Sequence, residues 1–357
     1  MSGGGELIKA RRAARLLGVK RPTIRDIARA AGVSPGAVSF ALNGQRGVSE
    51  DTRKRIRAAA DELGWVPSAA ARALSANQAQ AVGLVVTRPT DSLTGEGFYL
   101  RFIAGIEREL IGQSKSLVLQ LVSTVAEEAQ IYQTWWSGQR VDGVILTDVR
   151  QDDSRPEQLR SLNLPAVLVG APEGFTHDTL STVTTADGEA METVVRHLRS
   201  QGRRRIAYVA GISSLLHVQA RTDAFHASAQ AAGVESDSVL STDFTEDAGT
   251  KSTLDLLRGT GGPGKPDAII YDNELLALGG LMAINSLGLA VPEIAMVSFE
   301  DSPVCRVLNP ALTSLRRDPA ELGTAAASLL LDSLQTGEPG HRSTPAPELV
   351  VRGSTAS

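Results

Sequence analysis

A serine stands between two glycines near the start of the chain, in the stretch GVSPG at residues 32–36. This spacing satisfies the G-x-S-x-G pattern of a hydrolase nucleophile elbow, in which a sharp turn exposes the serine hydroxyl at the top of a sheet. An elbow requires a buried strand directly before the serine, whereas the preceding stretch, DIARAA, has the pattern of a helix. We therefore expect Ser34 to cap a helix and not to attack an acyl group.

A second glycine-rich stretch, GTGGPGKP at residues 259–266, resembles a phosphate-binding loop. It departs from G-x-x-x-x-G-K-[S/T] at the last position, where Pro266 replaces the hydroxyl that would reach magnesium. The order of elements is also wrong, because a helical segment precedes the stretch and the apolar run DAIIY (267–271) follows it. The stretch is predicted to be a connector between a helix and a strand.

The other reactive residue types exclude several classes of protein. Cys305 is the single cysteine, so no intrachain disulfide is possible, and the five histidines are too scattered to bind a metal. No apolar run approaches the roughly 18 residues of a membrane span, and the N-terminus lacks the apolar segment of a secretory signal. We expect a cytoplasmic protein that is not an enzyme and has no metal or cofactor.

Charge is distributed unevenly along the 357 residues. Residues 1–81 hold 14 Lys/Arg and 6 Asp/Glu, a net charge of +8, although the whole chain carries −4. The remaining residues hold 22 basic and 34 acidic side chains, a net charge of −12. A basic head on an acidic body indicates a polyanionic partner for the head alone, with a solvated basic face as the alternative.

The elements that position these groups differ between head and body. In the head, apolar residues recur at helical spacing in three short runs, with Ser34 and Pro35 starting the second and Ser49 capping the third. The first two runs are separated by a short turn that contains Gly32, which is helix-turn-helix spacing; a pair of core helices is the alternative. The predicted buried stripes are Ile24, Ile27, Ala28 and Ala31; Val38, Ala41 and Leu42; and Ile56, Ala60 and Leu63.

Beyond residue 80, short apolar runs rich in β-branched residues alternate with helical segments. This alternation predicts parallel sheets covered by helices on both faces, and the number of strands predicts two lobes with a ligand cleft between them. The predicted strands are 81–86, 117–122, 142–147, 165–169, 205–210, 267–271 and 294–299. The predicted helices include 102–110, 189–200, 274–288 and 321–334.

The stretch from residue 23 to residue 85 closely resembles the head of the lac-repressor family of transcription regulators. The motifs T-I-x-D-I-A, A-G-V-S, V-S-x-x-L-N-G, V-S-x-x-T-R-x-R-I, A-A-x-E-L-G-W-x-P and A-R-x-L occur in that order. The body is similar as well, at GIE (105–107), RVDGVIL (140–146) and PALTSLRRDPAELG (310–323). The resemblance implies a small all-α helix-turn-helix head and an α/β two-lobed body similar to periplasmic sugar-binding proteins. It assigns residues 1–22 to an N-terminal basic extension, 23–66 to the head, 67–80 to a hinge helix and linker, and 81–357 to the ligand-binding and dimerisation domain.

In this family the second helix of the head enters the major groove of DNA. The resemblance places Pro35, Gly36 and Phe40 at the positions that usually contact bases, where many members carry polar or basic residues. Phe40 can contact a thymine methyl group and Gly36 allows close approach of the backbone, so part of the specificity is expected to come from DNA shape. Residues expected to contact phosphates are Thr23, Ser34, Ser39, Asn43 and Thr52, with Arg25, Arg46 and Arg53 supplying charge.

The segment PSAAARAL (67–74) is similar to the family's hinge helix. Ser68 stands where the family usually has asparagine and can still cap the helix, and Arg72 adds charge. A helix this short is marginal in water, so it is expected to order only on DNA. Leu74 matches the leucine that family members insert between base steps of the minor groove.

The resemblance also places a ligand pocket in the body. An arginine and a carboxylate that bind hydroxyl groups, with aromatic rings against the ring face, suit a sugar. Two carboxylates depart from the family pattern, because Glu300 and Glu274 each stand where an aspartate is usual. The predicted ligand-binding residues are Phe98, Tyr99, Arg221, Phe244, Asn273 and Glu300.

Together these features predict a homodimeric, sequence-specific DNA-binding regulator, a repressor controlled by a small carbohydrate effector. The chain stops soon after the run ELVV (348–351), without the extra helix of the family's tetramers, which favours a dimer. A purine or nucleoside effector remains an alternative. A solute-binding module and an enzyme are the rival classes; the first requires an export signal and the second a catalytic cluster.

The hinge assignment makes a testable prediction. Leu74→Ala should weaken binding to a specific operator duplex far more than binding to a scrambled duplex. The reason is that the leucine acts as a wedge between base steps only where the minor groove opens. Titrations of both duplexes by fluorescence anisotropy measure the two affinities. An equal loss on both would refute the wedge.

Overall fold

The computed structural model describes residues 22–65, 78–88, 97–235, 237–261 and 264–356. The chain divides into two compact units, residues 1–79 and 80–357. The predicted hinge helix at 67–74 lies outside the described residues, and so does the predicted basic extension up to residue 21.

Three short helices make up the described part of the first unit: α1 (Ile24–Ala31), α2 (Pro35–Leu42) and α3 (Glu50–Glu62). Their core is formed by Ile27, Val38 and Ile56, each fully buried, as the apolar spacing predicts. Gly32 ends α1 with φ +66°, in the left-handed region where glycine has no steric penalty, and so turns the chain sharply into α2.

One predicted core residue of the first unit is wrong. Leu63 is 39% exposed because α3 ends at Glu62 and Leu63 only caps it. Ala59 takes the third buried position of the stripe beside Ile56 and Ala60.

In the second unit, described helices alternate with two six-stranded sheets. The helices in chain order are α4 (Gly97–Gly112), α5 (Val125–Ser137), α6 (Arg155–Ser161), α7 (Asp187–Ser200), α8 (Leu216–Ala231), α9 (Glu246–Arg258), α10 (Glu274–Ser286), α11 (Pro303–Val307) and α12 (Pro319–Thr336). All four predicted helices are present; three extend a few residues further than the apolar pattern indicates, whereas the helix predicted over 274–288 ends at Ser286.

The first sheet, which forms lobe 1, is parallel throughout. Its strand order is β11-β5-β4-β3-β1-β2. Strand β1, which lies between β3 and β2, is buried along its whole length, which explains its uninterrupted apolar sequence AVGLVV. The strands are β1 (Ala81–Thr87), β2 (Ser116–Val122), β3 (Gly143–Leu146), β4 (Ala166–Pro172), β5 (Ser181–Thr185) and β11 (His341–Thr344).

The second sheet, which forms lobe 2, has the order β12-β10-β9-β8-β6-β7. It is parallel except for its edge strand β12, which pairs antiparallel with β10. Its strands are β6 (Ile206–Ala210), β7 (Val239–Ser241), β8 (Ala268–Tyr271), β9 (Ala295–Ser298), β10 (Thr313–Arg316) and β12 (Glu348–Val350). All seven strands predicted from apolar runs are therefore confirmed across the two sheets.

The chain passes between the lobes three times, because each sheet takes an edge strand from the last part of the sequence. The crossings lie at residue 186, between β5 and α7, at residues 317–318, between β10 and α12, and at residues 345–347, between β11 and β12. Asp187 and Arg317 therefore stand where the chain changes lobes.

The stretches at 32–36 and 259–266, which resemble a nucleophile elbow and a phosphate loop, have the structural context that the sequence predicts. Ser34 is preceded by a helix, and its Oγ accepts a hydrogen bond from the N–H of Ala37 at 3.2 Å, so it is a helix cap. The stretch at 259–266 follows α9 and precedes β8, and Gly259 ends the helix with φ +81°. Neither position has the strand-loop-helix order that an elbow or a phosphate loop requires.

In lobe 1, α4 and α12 approach each other at two glycines. A Cβ atom on Gly105 would lie 1.9 Å from the carbonyl oxygen of Ala320, and one on Gly323 would lie 2.1 Å from that of Phe102. Such distances are far below van der Waals contact with rigid backbone, so these two helices pack this closely only because both side chains are absent.

Gly105→Ala should therefore destabilise the second unit by about 1–3 kcal/mol, because α12 must move away from α4. Gly112→Ala is the matched control in the same helix, since nothing lies within 4 Å of a Cβ atom there. That change should leave stability unchanged or raise it by up to about 1 kcal/mol. Denaturant unfolding of both variants measures the difference, and equal effects would contradict the close packing.

Candidate DNA-binding surface and ligand pocket

The predicted base-contacting positions lie together on the outer face of α2. Pro35 and Gly36 begin the helix, both exposed, and Phe40 follows one turn later with 46% of its surface exposed. Asn43 caps the C-terminal end of the same helix and is also exposed. An exposed phenylalanine on a basic three-helix unit is unusual for a purely structural side chain and suits contact with another surface.

Two of the predicted phosphate-contacting hydroxyls, Thr23 and Ser34, lie at helix caps, and the others make hydrogen bonds within or at the start of helices. Thr23 donates from its N–H and its hydroxyl to Asp26, at 2.9 and 2.7 Å, and so fixes the start of α1. Ser49 caps α3, accepting from the N–H of Thr52 at 3.3 Å and donating to its hydroxyl at 2.9 Å. Ser39 accepts a 3.4 Å hydrogen bond from the amide of Asn43.

Two arginines of α3 hold the other helices in place. Arg53 donates to the carbonyl oxygens of Ala41 and Gln45, both at 3.0 Å, and Arg55 donates to that of Ala31 at 3.0 Å. Positive charge at these C-terminal carbonyls is favourable. Arg53 is therefore engaged within the unit and is not a free charge for phosphate, whereas Arg25 and Arg46 are exposed.

In the second unit, all six predicted ligand-binding residues line one cavity, which encloses about 660 Å³ of non-protein space, part of it open to solvent. Lobe 1 contributes Phe98 and Tyr99 from the start of α4. Lobe 2 contributes Arg221 from α8, with Phe244, Asn273 and Glu300 from loops that follow β7, β8 and β9. The sequence had separated these residues by up to two hundred positions, and the carboxyl ends of the parallel strands bring them together.

The lobe 1 wall contains a buried ion pair that follows β1 and β3. Arg88 lies 3.1 Å from one carboxylate oxygen of Asp148 and 3.2 Å from the other, and the hydroxyl of Tyr99 donates to the same carboxylate at 3.0 Å. Burial by itself would raise the pKa of Asp148, but the charge of Arg88 and its other partners hold this pKa below the usual value. Asp148 is therefore a fixed carboxylate at the cavity surface.

A second network lies behind Asp148 and fixes its backbone. Arg155, fully buried, donates to the carbonyl oxygen of Asp148 and to the carboxylate of Glu128, each at 2.7 Å, and to Asp153 at 2.9 Å. Glu128 also accepts from the hydroxyls of Thr87 and Tyr132. Because every charge in this network is paired, the pocket wall rests on a satisfied polar cluster.

The lobe 2 wall is organised by Arg221. Its guanidinium donates to Asp187 at 2.6 Å and to Asp272 at 2.5 Å, and lies 4.6 Å from the ring centroid of Phe299. Arg317, in the second crossing, places a nitrogen 2.9 Å from the other oxygen of Asp187. Burial opposes ionisation of Asp187, but the two arginines together lower its pKa far below the usual range.

Phe244 is held in a strained position between the lobes. Its φ is +70°, a region that bulky residues rarely adopt, and a Cβ atom on Gly211 would lie 2.0 Å from its ring. The guanidinium of Arg88, from lobe 1, lies 4.6 Å from the ring centroid. Gly211 thus makes room for an aromatic ring in contact with a cation from the opposite lobe.

Asn273 serves the local backbone as well as the cavity. Its side-chain oxygen accepts from the N–H of Leu276 at 2.8 Å and caps α10, and its amide donates to the carbonyl oxygen of Phe244 at 3.3 Å. Positioning of Phe244 is therefore one function of this predicted pocket residue.

Sequence reasoning missed several charged groups of the cavity. Asp148 follows the apolar strand in GVILTD and Arg88 follows β1; Asp272, which follows AIIY, does not line the cavity but accepts from Arg221. Because ligands of parallel sheets bind at the carboxyl ends of strands, this placement was a usable signal. The cavity residues that were not predicted include Arg88, Thr147, Asp148, Asp187, His217 and Arg317.

Within the described ranges, no group of three or more His, Cys, Asp or Glu side chains is arranged to hold a metal ion. None of the helices described is long and apolar enough to cross a membrane.

Comparisons with known proteins cover both units. The profile of the bacterial regulatory proteins of the lacI family matches residues 23–68, and that of a periplasmic binding protein-like domain matches residues 195–355. The HTH-type transcriptional regulator CelR of Thermobifida fusca is 32% identical over 322 residues, 89% of this chain and 93% of that protein. The HTH-type transcriptional repressor PurR of Glaesserella parasuis is 30% identical over 345 residues, 93% and 98% of the two chains. The solved structure of a CelR–cellobiose complex has a TM-score of 0.71 at 30% identity and covers 94% of this chain and 100% of its own.

His217 makes the cavity sensitive to acid. Burial, followed by the charge of Arg221, lowers the pKa of His217 from 6.5 to about 4, although Asp148, Asp272 and Asp187 oppose the shift. The unfolded chain therefore binds this proton more readily than the folded chain between pH 6.5 and 4, and the folded state loses stability as the pH falls through that window.

His217→Gln should remove this contribution, so that the loss of unfolding free energy between pH 7.5 and pH 5 becomes smaller by about 1–2 kcal/mol than in the unmodified chain. Denaturant unfolding at several pH values measures it. His226→Gln is the control, because His226 lies on the same helix with an exposed side chain. A pH dependence unaltered by His217→Gln would contradict the assignment.

Proposed function

The chain belongs to the lacI family of bacterial regulatory proteins and is a DNA-binding regulator of transcription; we propose that it acts as a homodimeric repressor controlled by a sugar in the pocket of its second unit. The observation that supports a sugar as the effector is that groups able to bind hydroxyls are buried beside aromatic rings in one cavity. Arg88 and Arg221 supply donors, Asp148 supplies an acceptor, and Phe98 and Phe244 supply rings at one cavity. Sugar hydroxyls both donate and accept, so this mixture of charged partners suits them.

The relatives support the same class of ligand. The solved CelR structure is a complex with cellobiose, and it covers nearly the whole of this chain. We assign ligand binding here to Phe98, Tyr99, Arg221, Phe244, Asn273 and Glu300, with Arg88 and Asp148 added from the geometry of the cavity.

For DNA, we assign the major-groove surface to the outer face of α2. Phe40 is a large apolar side chain exposed on this face, and the exposed Pro35 and Gly36 allow the backbone to come close to the bases. Phosphates are bound by the hydroxyls and amide of Thr23, Ser34, Ser39, Asn43 and Thr52 with the charge of Arg46. Ser68, Arg72 and Leu74 complete the interface in the hinge, on the strength of the sequence resemblance alone.

Two copies placed about one helical turn apart would match a pseudo-palindromic operator. The sugar must bind two arrangements of the lobes with different affinity in order to change DNA binding. The three crossings are the places where the lobes can rotate, and Asp187 and Arg317, at two of them, belong to the cavity itself. A ligand that contacts these residues therefore acts directly on two of the crossings about which the lobes rotate.

Mobility-shift titration of the full chain against duplexes from its own upstream DNA tests the proposal. Specific binding should exceed binding to a scrambled duplex and should fall steeply between about 50 and 200 mM salt. A panel of sugars, with nucleosides and purines included for the alternative effector, should contain a sugar that shifts this affinity at least about fivefold.

Phe40→Ala should reduce specific binding by about tenfold, or about 1.4 kcal/mol, and leave the scrambled duplex unaffected. Its thermal unfolding should match the parent, because Phe40 lies outside the core of the first unit. Failure of the full chain to distinguish the two duplexes at any salt concentration would overturn the DNA-binding assignment, and a response to nucleosides alone would overturn the sugar.

A further inference from the structure

A second, smaller compartment adjoins the main cavity. It comprises about 380 Å³ of non-protein space, part of it open to solvent, and shares Phe98, Glu300 and Arg317 with the cavity described above. We call it the outer compartment; its further lining includes Gly97 and Glu274. The shared residues make the two spaces direct neighbours.

Glu274 is the notable side chain of the outer compartment. It is 94% buried, with 6% of its surface exposed, and its carboxylate makes no hydrogen bond or ion pair within the described part of the chain. It is the first residue of the thirteen-residue helix α10. Because Glu274 lines the compartment and its carboxylate has no protein partner among the described residues, the carboxylate is available to accept a hydrogen bond from a ligand.

Two other charged groups of this compartment, Asp301 and Arg101, are already engaged with protein partners. Asp301 accepts from Ser314 at 2.9 Å and from Arg352 at 2.8 Å, and Arg101 donates to Asp318 at 3.4 Å. Glu274 is thus set apart from its neighbours by its lack of a protein partner rather than by its charge.

Arg317 supplies a complementary group at the boundary of the two spaces. Its Nε is buried and has no hydrogen-bond partner, although another nitrogen of the same guanidinium lies beside Asp187. A donor and an acceptor that both lack partners match a ligand hydroxyl, which can accept from one and donate to the other. Gly97 faces this region without a side chain, and a Cβ atom there would come within 3.9 Å of the Glu274 carboxylate.

Resting on the sugar effector proposed above, we infer that the effector consists of two linked sugar rings. One ring occupies the main cavity, and the second extends past Phe98 and Arg317 into the outer compartment, where Glu274 accepts a hydrogen bond from one of its hydroxyls. Glu274 is then a specificity-determining residue that distinguishes a disaccharide from its constituent monosaccharide.

Isothermal titration of the full chain with glucose, cellobiose, maltose, lactose and galactose tests the inference. At least one disaccharide should bind about tenfold or more tightly than either of its constituent rings. Glu274→Gln, which keeps the shape of the side chain and removes its charge, should weaken that disaccharide by about tenfold and leave the affinity for the monosaccharide unchanged.

Glu189→Gln is the matched control, because Glu189 is an exposed acid in the first turn of α7 and should alter neither affinity. Gly97→Val provides an independent variant that narrows the same compartment from the opposite side and should also weaken only the disaccharide. Thermal unfolding of each variant confirms that it is folded.

Equal affinities for mono- and disaccharides, or an equal loss of both in Glu274→Gln, would overturn the inference while leaving a sugar effector in place. Binding of none of these sugars, together with a response to nucleosides, would overturn the proposed effector and the second ring with it.

Discussion

The ionic contacts around Arg221 tie two of the crossings between the lobes to the second sheet. The guanidinium is buried between Asp187, which follows the first crossing, and Asp272, which follows β8, while Arg317 from the second crossing reaches Asp187. Removing such charges from water is expensive, and leaving one of them unpaired would be more so. The cavity, the crossings and the second sheet are therefore held in register by one set of paired charges.

The two walls of the cavity are built on different principles. In lobe 1, Arg88 and Asp148 form an ion pair whose backbone is fixed from behind by Arg155. In lobe 2, Phe244 has a backbone in the left-handed region, and its ring fits because Gly211 has no side chain. Strain of this kind persists only where surrounding structure imposes it, and here the surrounding structure is the binding surface.

Continuous apolar runs made most of the fold predictable, since strands buried on both faces carry little else. Strand β5 was not predicted because its sequence, STVTT, consists mostly of hydroxyl-bearing residues, although all five are buried. Strand β11 was not predicted because its sequence, HRST, contains no apolar residue. The cavity residues taken from the family resemblance were brought together, while the positions of Arg88 and Asp148 at strand ends were visible in the sequence. The pairing of Arg88 with Asp148 was not visible in the sequence, because the order of strands brings together two residues that are sixty positions apart. The carboxylate of Glu274 became notable only once its surroundings were known.

The return of the chain to lobe 1 has a consequence for its biosynthesis. Helix α12 and strand β11, which cover α4 and extend the sheet beside β5, come from residues 319–344. A ribosome must therefore translate almost the entire polypeptide before the first lobe can close, and the apolar surface of α4 stays uncovered meanwhile. Nascent chains of this protein are expected to depend on chaperones until that late segment emerges, because contacts so distant in sequence form slowly.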